Sequence, residues 1–333
     1  MPTRHLSRGF RQALVLALLF CLLCVSHALA GPINAKSAIL MDVTTGRILY
    51  EQRADMRIPP ASLTKVISMY VAMNAISAKK VDYPDKVTIS AAAARTGGSR
   101  FGLRKGERVT LDRLFYGMAV ASGNDASVAV AEHVAGSTSA FVTKMNALAR
   151  RLGMKNTRFV NVHGLPAKGQ ITTARDMLKL ARAYQAHYPR ARKYHLARSV
   201  THRGHTEPNH NALVGHYPGL DGLKTGWVTA AGYNIIATAR QRGHKLIAVI
   251  LGAPNTSVRT AEARRLLNAG FSAVAKKKTS AIAELGVSSK QAAQLKKSTS
   301  YSSPRKVEKR RKTPSRKSAA AAQRQSARKK TSR

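Results

Sequence analysis

Acidic residues, cysteines and long apolar runs are all scarce in this chain, and each shortage excludes something. Its 333 residues hold 15 Asp and Glu against 57 Lys and Arg, a formal net charge of +42, so the partners it attracts are anionic. The two cysteines, Cys21 and Cys24, both fall in an apolar N-terminal segment. With that segment removed, neither disulfides nor thiol chemistry can enter a mechanism. After Val25 no apolar run approaches the ~20 residues of a membrane-spanning helix. No His-Glu-x-x-His pair occurs, and His202, His205, His210 and His216 fall in a loop-like stretch, so neither a metal nor a cofactor is expected. Core material is plentiful. At 44% hydrophobic the chain can pack one large domain or two ordinary ones, and wholesale disorder is excluded.

The two ends differ from the middle. Arg4, Arg8 and Arg11 precede an unbroken apolar run from Ala13 to Val25, and Ala28-Leu29-Ala30 places small residues where a signal peptidase reads. Residues 1–30 are expected to be an export signal, with an uncleaved anchor as the alternative. Residues 276–333 hold 19 basic and 2 acidic side chains, with almost nothing large and apolar after Leu295. Such a segment cannot offset its ordering entropy, so a disordered basic tail is expected. Export removes chromosomal DNA, so no nucleic acid is expected as a partner. The tail is read as binding an anionic membrane surface or wall polymer, or as a solvated spacer. Residues 31–275, net +22, form the body. The mature protein is expected in the periplasm or cell-wall compartment, soluble or peripheral on the membrane.

Within the body, Ala38–Asp42 and Arg47–Glu51 around Thr44-Thr45-Gly46 predict a β-hairpin. A helix is predicted from about Ser62, with Val66, Met69, Tyr70 and Met73 on one face, and a short strand at Val87–Ser90. Further helices are predicted at Leu111–Ala121 capped by Thr110, Ala126–Val134, and Ser139–Leu152 closed by Gly153. Thr173 and Asp176 suggest a capping box opening Ala174–His187. Leu220–Trp227, Tyr233–Arg240 and Lys245–Leu251 then read as consecutive antiparallel strands, and Val258–Phe271 as a closing amphipathic helix. The expected architecture is α/β: an antiparallel sheet flanked by helices, with a helical subdomain inserted after the first hairpin.

Three short constellations carry chemistry. Ser62-Leu63-Thr64-Lys65 puts a hydroxyl and an amine three positions apart at a helix start, on one face, so that Lys65 can reach the Ser62 oxygen. Serine is a weak nucleophile until a neighbouring base takes its proton, and a lysine can do so when burial and nearby cations lower its pKa. The same spacing recurs incidentally at Ser77/Lys80, Ser303/Lys306 and Ser326/Lys329; Pro59-Pro60 before the first and an apolar helical run after it set it apart. Ser122-Gly123-Asn124, at a junction between helices, offers a proton-relaying hydroxyl and an amide that donates and accepts. Lys224-Thr225-Gly226 lies in a strand, where the lysine supplies positive charge for a carboxylate and the glycine permits close backbone approach.

Together the three resemble the active-site serine penicillin-recognising enzymes. Pro60-Ala61-Ser62-Leu63-Thr64-Lys65, Thr96-Gly97-Gly98-Ser99, Ser122-Gly123-Asn124-Asp125-Ala126, His163-Gly164-Leu165 and Asp221-Gly222-Leu223-Lys224-Thr225-Gly226 are similar to motifs of the low-molecular-mass penicillin-binding proteins. Those are the D-alanyl-D-alanine carboxypeptidases of peptidase family S11. The likeness runs from about Ala35 to Phe271. It implies a five-stranded β-lactamase/DD-peptidase-like fold and removal of the terminal D-alanine from peptidoglycan stem pentapeptides, with β-lactams as covalent inhibitors. Ser62 is implied as the acylated nucleophile, Lys65 as general base, and Ser122 as proton relay. Asn124 is implied to position substrate and Lys65, while Lys224 and Thr225 hold the terminal carboxylate. Gly226 belongs to the same substrate-binding strand, and the backbone N–H groups of Ser62 and Trp227 are implied as the oxyanion hole. For His163 the resemblance implies a loop-shaping role.

Three rivals remain open at this point: a DD-endopeptidase cutting crosslinks, a serine β-lactamase, and a non-catalytic wall-binding module. The absence of Asp and Glu between Glu132 and Asp176 argues against a class A β-lactamase, which needs a loop carboxylate to activate water. Retention of Ser62, Lys65, Ser122, Asn124 and Lys224 argues against an idle module.

Overall fold

The computed structural model describes residues 31–275; the expected export signal with its two cysteines and the expected basic tail lie outside the described residues. Strands β1 (Ser37–Asp42) and β2 (Arg47–Gln52) form the opening hairpin. Its turn is tied by Asp42, which accepts hydrogen bonds from the Thr44 N–H and the Thr45 hydroxyl. The chain then leaves the sheet through a 3-10 turn at Ala61–Leu63 into α1 (Thr64–Ser77). A helical region follows, built from α2 (Ala91–Arg95), α3 (Leu111–Ala119), α4 (Asn124–Ala135), α5 (Thr138–Arg151), α6 (Ala174–His187) and α7 (Arg192–Leu196). It also carries two short hairpins, β3 (Lys86–Thr88) with β4 (Arg108–Thr110), and β5 (Ser199–His202) with β6 (His205–Pro208). The chain returns as β7 (Leu220–Val228), β8 (Gly232–Gln241) and β9 (His244–Ala253), and ends its described part in α8 (Thr256–Ala275).

The main sheet has the order β2-β1-β9-β8-β7, each neighbouring pair antiparallel. Both faces are covered, which explains why β9 reads as a near-continuous apolar run. Ile247, Val249 and Leu251 pack with Ile39 and Ile236 against the helical region; Leu246, Ala248 and Ile250 pack with Leu40 and Ile235 against Leu266, Leu267 and Phe271 of α8. Helix α1 is buried all round from Thr64 to Met73, so the segment after Ser62 is a core helix rather than an amphipathic one. Strand β7 ends up on the sheet's edge, with one side of its backbone facing the helical region rather than another strand. Among the described residues, no helix is long and apolar enough to cross a membrane.

Two expectations need correction. Thr173 does cap α6, its hydroxyl accepting from the Asp176 N–H at 3.1 Å, but the reciprocal half of a capping box is not made. The Asp176 carboxylate turns instead to the Asn156 N–H, the Thr157 hydroxyl and the Lys179 ammonium, tying α6 to the loop that follows α5. The stretch holding His202 and His205 is a hairpin rather than a loop, the two residues pairing across its tip. Four-residue strands of polar side chains carry too little alternation to be read from sequence.

Candidate active site

Ser62 sits in the 3-10 turn and Lys65 one step inside α1. Ala61, directly before the serine, has φ +49, a left-handed conformation that side chains disfavour, so the turn that presents the hydroxyl is strained. Lys65 is wholly buried. Its Nζ lies 3.0 Å from Ser62 Oγ, 2.7 Å from Asn124 Oδ1 and 2.8 Å from the His163 carbonyl. Burial, and next the charge of Lys224, push its pKa well below the ordinary lysine value, against a smaller upward pull from Asp125. Once the amine is neutral, two N–H groups can donate to Asn124 and His163 while its lone pair is left to accept the Ser62 hydroxyl proton.

Asn124 opens α4 and is held from both ends. Its Nδ2 donates to the Gly97 carbonyl at 2.7 Å, and its backbone N–H to the Ser99 carbonyl at 2.8 Å. That loop is fastened in turn by buried Asp125, whose carboxylate accepts from the N–H groups of Phe101 at 2.8 Å, Gly102 at 2.9 Å and Leu103 at 3.1 Å. The aim of the Asn124 amide at Lys65 thus rests on a carboxylate that never touches the lysine. Ser122 is also buried, at φ +57, a second strained residue beside the site. Its hydroxyl makes no hydrogen bond to Lys65 or to any other described residue.

Strand β7 supplies the opposing wall. Lys224 is buried, donates to the Thr225 carbonyl at 3.1 Å, and is lowered to about 7 by burial and then by the nearby Arg259 cation. Gly226 has to be glycine, because a Cβ there would come within 2.8 Å of the Ser62 nitrogen and 3.2 Å of the Leu63 nitrogen. Gly164, at φ +100, is pressed as closely against the Ala61 carbonyl from the loop on the other side. His163 shapes that loop, its Nδ1 accepting from the Leu165 N–H at 3.2 Å, and burial first, then Lys65, lower its pKa to about 4. Thr225 is buried, whereas Trp227 is 54% exposed. The indole lies 5.8 Å from the Tyr233 ring, at a groove along the sheet end shared with Lys36 and Arg53.

The structure thus brings Ser62, Lys65 and Asn124 into one hydrogen-bonded cluster, packs Gly226 against the Ser62 turn, and sets the Lys224 charge close enough to act on Lys65. Two participants escaped sequence reasoning. Arg259 on α8 is buried at 5% exposure, donates to the His210 carbonyl at 3.3 Å and biases Lys224. In a closing helix, an arginine reads as solvent-facing, so no local signal marks it. His195 is buried, and its Nδ1–H donates to the Leu223 carbonyl at 3.1 Å, immediately before Lys224. Its Nε2 then accepts from the Tyr184 hydroxyl at 3.1 Å, and burial, followed by Lys224, lowers its pKa to about 4. Only the fold brings that ring to β7.

A hydroxyl 3.0 Å from a buried lysine of lowered pKa, with a second buried lysine nearby, is equipment for nucleophilic attack on a substrate that carries an anionic end. The family model described as D-alanyl-D-alanine carboxypeptidase, peptidase S11, matches residues 25–255. The D-alanyl-D-alanine carboxypeptidase DacC of Escherichia coli (strain K12) is 40% identical over 249 residues, 73% of this chain and 62% of that protein. The chain therefore spans less than two thirds of the length of this curated relative. Among solved structures, penicillin binding protein 5 from Haemophilus influenzae superposes with a TM-score of 0.70 at 36% identity, covering 72% of this chain and 71% of that one. Penicillin-Binding Protein D2 from Listeria monocytogenes, in its ampicillin-bound form, gives a TM-score of 0.66 at 29% identity, covering 72% of this chain and 98% of that one. The five-stranded antiparallel sheet with its flanking helices is the fold of these penicillin-binding DD-peptidases, and the chain belongs to the D-alanyl-D-alanine carboxypeptidase family, peptidase S11.

Proposed function

We propose that this protein is a serine-type D-alanyl-D-alanine carboxypeptidase that trims the terminal D-alanine from peptidoglycan stem pentapeptides. The observation that carries the reading is the wholly buried Lys65 amine, 3.0 Å from Ser62 Oγ, with its two N–H groups spent on Asn124 and His163. Lys65 takes the Ser62 proton as the oxygen attacks the carbonyl between the two D-alanines. The backbone N–H groups of Ser62 and Trp227 hold the developing oxyanion, the interaction worth most in acyl transfer. Ser122 relays the proton to the departing amine, and its unspent hydroxyl leaves it free to do so. Lys224 and Thr225 hold the terminal carboxylate, Gly226 lets the strand approach, and Asn124 positions both the substrate amide and Lys65. Free D-alanine leaves, and water then releases the shortened peptide from the Ser62 ester.

β-Lactams, which carry a carboxylate beside a strained amide, would acylate Ser62 in the same way and depart slowly. The loop from Asn161 to Gln170, where a β-lactamase needs a carboxylate, is organised by amides instead. Gln170 accepts from the Val160 and Asn161 N–H groups and donates to the Leu165 carbonyl, so no carboxylate stands there to activate water. In the test, the protein is labelled covalently by fluorescent penicillin, the label persists, and Ser62→Ala removes it. Free D-alanine appears faster from a pentapeptide than from a crosslinked dimer. Rapid turnover of the drug, or preference for the dimer, overturns the assignment.

Residues 1–30 act in this reading as the export signal, 31–275 as the catalytic domain in the periplasm or wall compartment, and 276–333 as a basic tether to an anionic membrane or wall polymer. Removing residues 276–333 should leave small-peptide hydrolysis intact and weaken salt-sensitive binding to anionic vesicles; unchanged vesicle binding makes the tail a spacer.

A further inference from the structure

The cleft does not end at the Ser62 hydroxyl. If Lys224 holds the substrate's terminal carboxylate and the Trp227 N–H its scissile carbonyl, the peptide lies along the free edge of β7 as an added strand. Its residues upstream of the D-alanine pair then continue past Trp227 toward Val228 and Ala230. At that place a groove of about 350 Å³ opens between the end of β7 and the Gly164–Gln170 loop, walled by Pro59, Leu165, Pro166 and Val228. Its polar floor is already satisfied, since Gln170 spends its amide on the loop's own backbone.

The one charged residue in the groove's lining is a cation. Lys168 stands in its lining, exposed, with no hydrogen bond or ion pair to any described residue. Arg158 approaches the Gly169 backbone beside it, to 3.9 Å from where a Cβ would stand. Between Glu132 and Asp176 the chain places seven Lys and Arg and no carboxylate, so no acid from this segment neutralises them.

We infer that this groove is an acyl-side subsite that selects peptides carrying a free carboxylate on the residue before the D-alanine pair, with Lys168 as the specificity-determining cation. The inference rests on the carboxypeptidase reading above. An exposed ion pair is a modest interaction, so discrimination falls in KM, about three- to fivefold, and weakens with salt.

The test uses two peptides ending in D-alanyl-D-alanine, identical except that the residue before the pair bears a free side-chain carboxylate or its amide. D-Alanine release by the full chain gives KM and kcat for each. The carboxylate peptide should show the lower KM at equal kcat. Lys168→Gln should equalise the two KM values and Lys168→Glu should invert them; because Lys168 is exposed and unbonded, both variants should fold. Equal KM values in the wild-type protein, or a Lys168→Gln effect of the same size on both peptides, overturns the subsite. Failure to release D-alanine from either peptide instead overturns the carboxypeptidase reading beneath it.

Discussion

Lys65 and Lys224 are the same residue in nearly the same degree of burial, one on helix α1 and one on edge strand β7, yet their surroundings prepare them for opposite states. Burial disfavours the ammonium in both. At Lys65 an amide oxygen and a carbonyl accept from the amine and the Ser62 hydroxyl stands at 3.0 Å, so a neutral amine can spend two N–H groups and keep its lone pair for that hydroxyl. At Lys224 a single carbonyl, that of Thr225, is the one hydrogen-bond partner among the described residues, which leaves the ammonium's other donors for an incoming anion. The charge of Lys224 also discourages one on Lys65, so a proton kept on Lys224 helps keep Lys65 free of one. Burial alone does not assign a role; the partners left for the donors do.

Exchanging each lysine for arginine breaks this comparison with the largest effect. Arginine keeps its proton at any working pH, so it can replace a fixed charge but not a base. Lys65→Arg should lose about 10³-fold in acylation, within the range for removing a general base. Lys224→Arg should lose about tenfold or less, because the carboxylate still meets a cation. The rate of covalent labelling by fluorescent penicillin measures both, with thermal unfolding run alongside to show that each variant folds. Comparable losses in the two variants would mean that the lysines do not divide the work as described.

The sequence exposes these two walls unequally. The Ser62 wall is local: a serine and a lysine at i and i+3, two prolines before them and an apolar run after, all readable because helical spacing fixes which side chains share a face. The hairpin, the three later strands and helix Ala174–His187 are legible for the same reason, their period or their turn residues being local properties. The surroundings of Lys224 are not local. Arg259 arrives from 35 positions on, and the His195 ring from the helical region, each through tertiary packing that leaves no mark on its own segment. Asp125 shows the same limit within a recognised motif. Its carboxylate holds the Phe101–Leu103 backbone, some two dozen residues earlier, and no spacing rule links an acid to three backbone N–H groups of a distant loop. Residue types are legible where the chain's own period places them; protonation states are not, because they depend on who arrives from elsewhere.

A smaller effect sharpens the comparison, and it is read from pH. The proposed mechanism needs Lys65 neutral and Lys224 charged. The rate therefore rises with pH through the lowered pKa of Lys65 and falls as Lys224 loses its proton near 7. In the free enzyme, kcat/KM for a D-alanyl-D-alanine peptide should form a bell whose descending limb lies near 7. Once the substrate carboxylate is bound, its negative charge favours the Lys224 ammonium, so the descending limb of kcat should lie at higher pH than that of kcat/KM. In Lys224→Arg the cation does not titrate in the working range, and the descending limb should move up by at least a pH unit while the ascending limb stays with Lys65. A limb near 7 that persists unchanged in Lys224→Arg would assign it to another group. Burial of Lys224 would then be a matter of packing alone, and the fixed charge on the substrate carboxylate would have to come from Arg259.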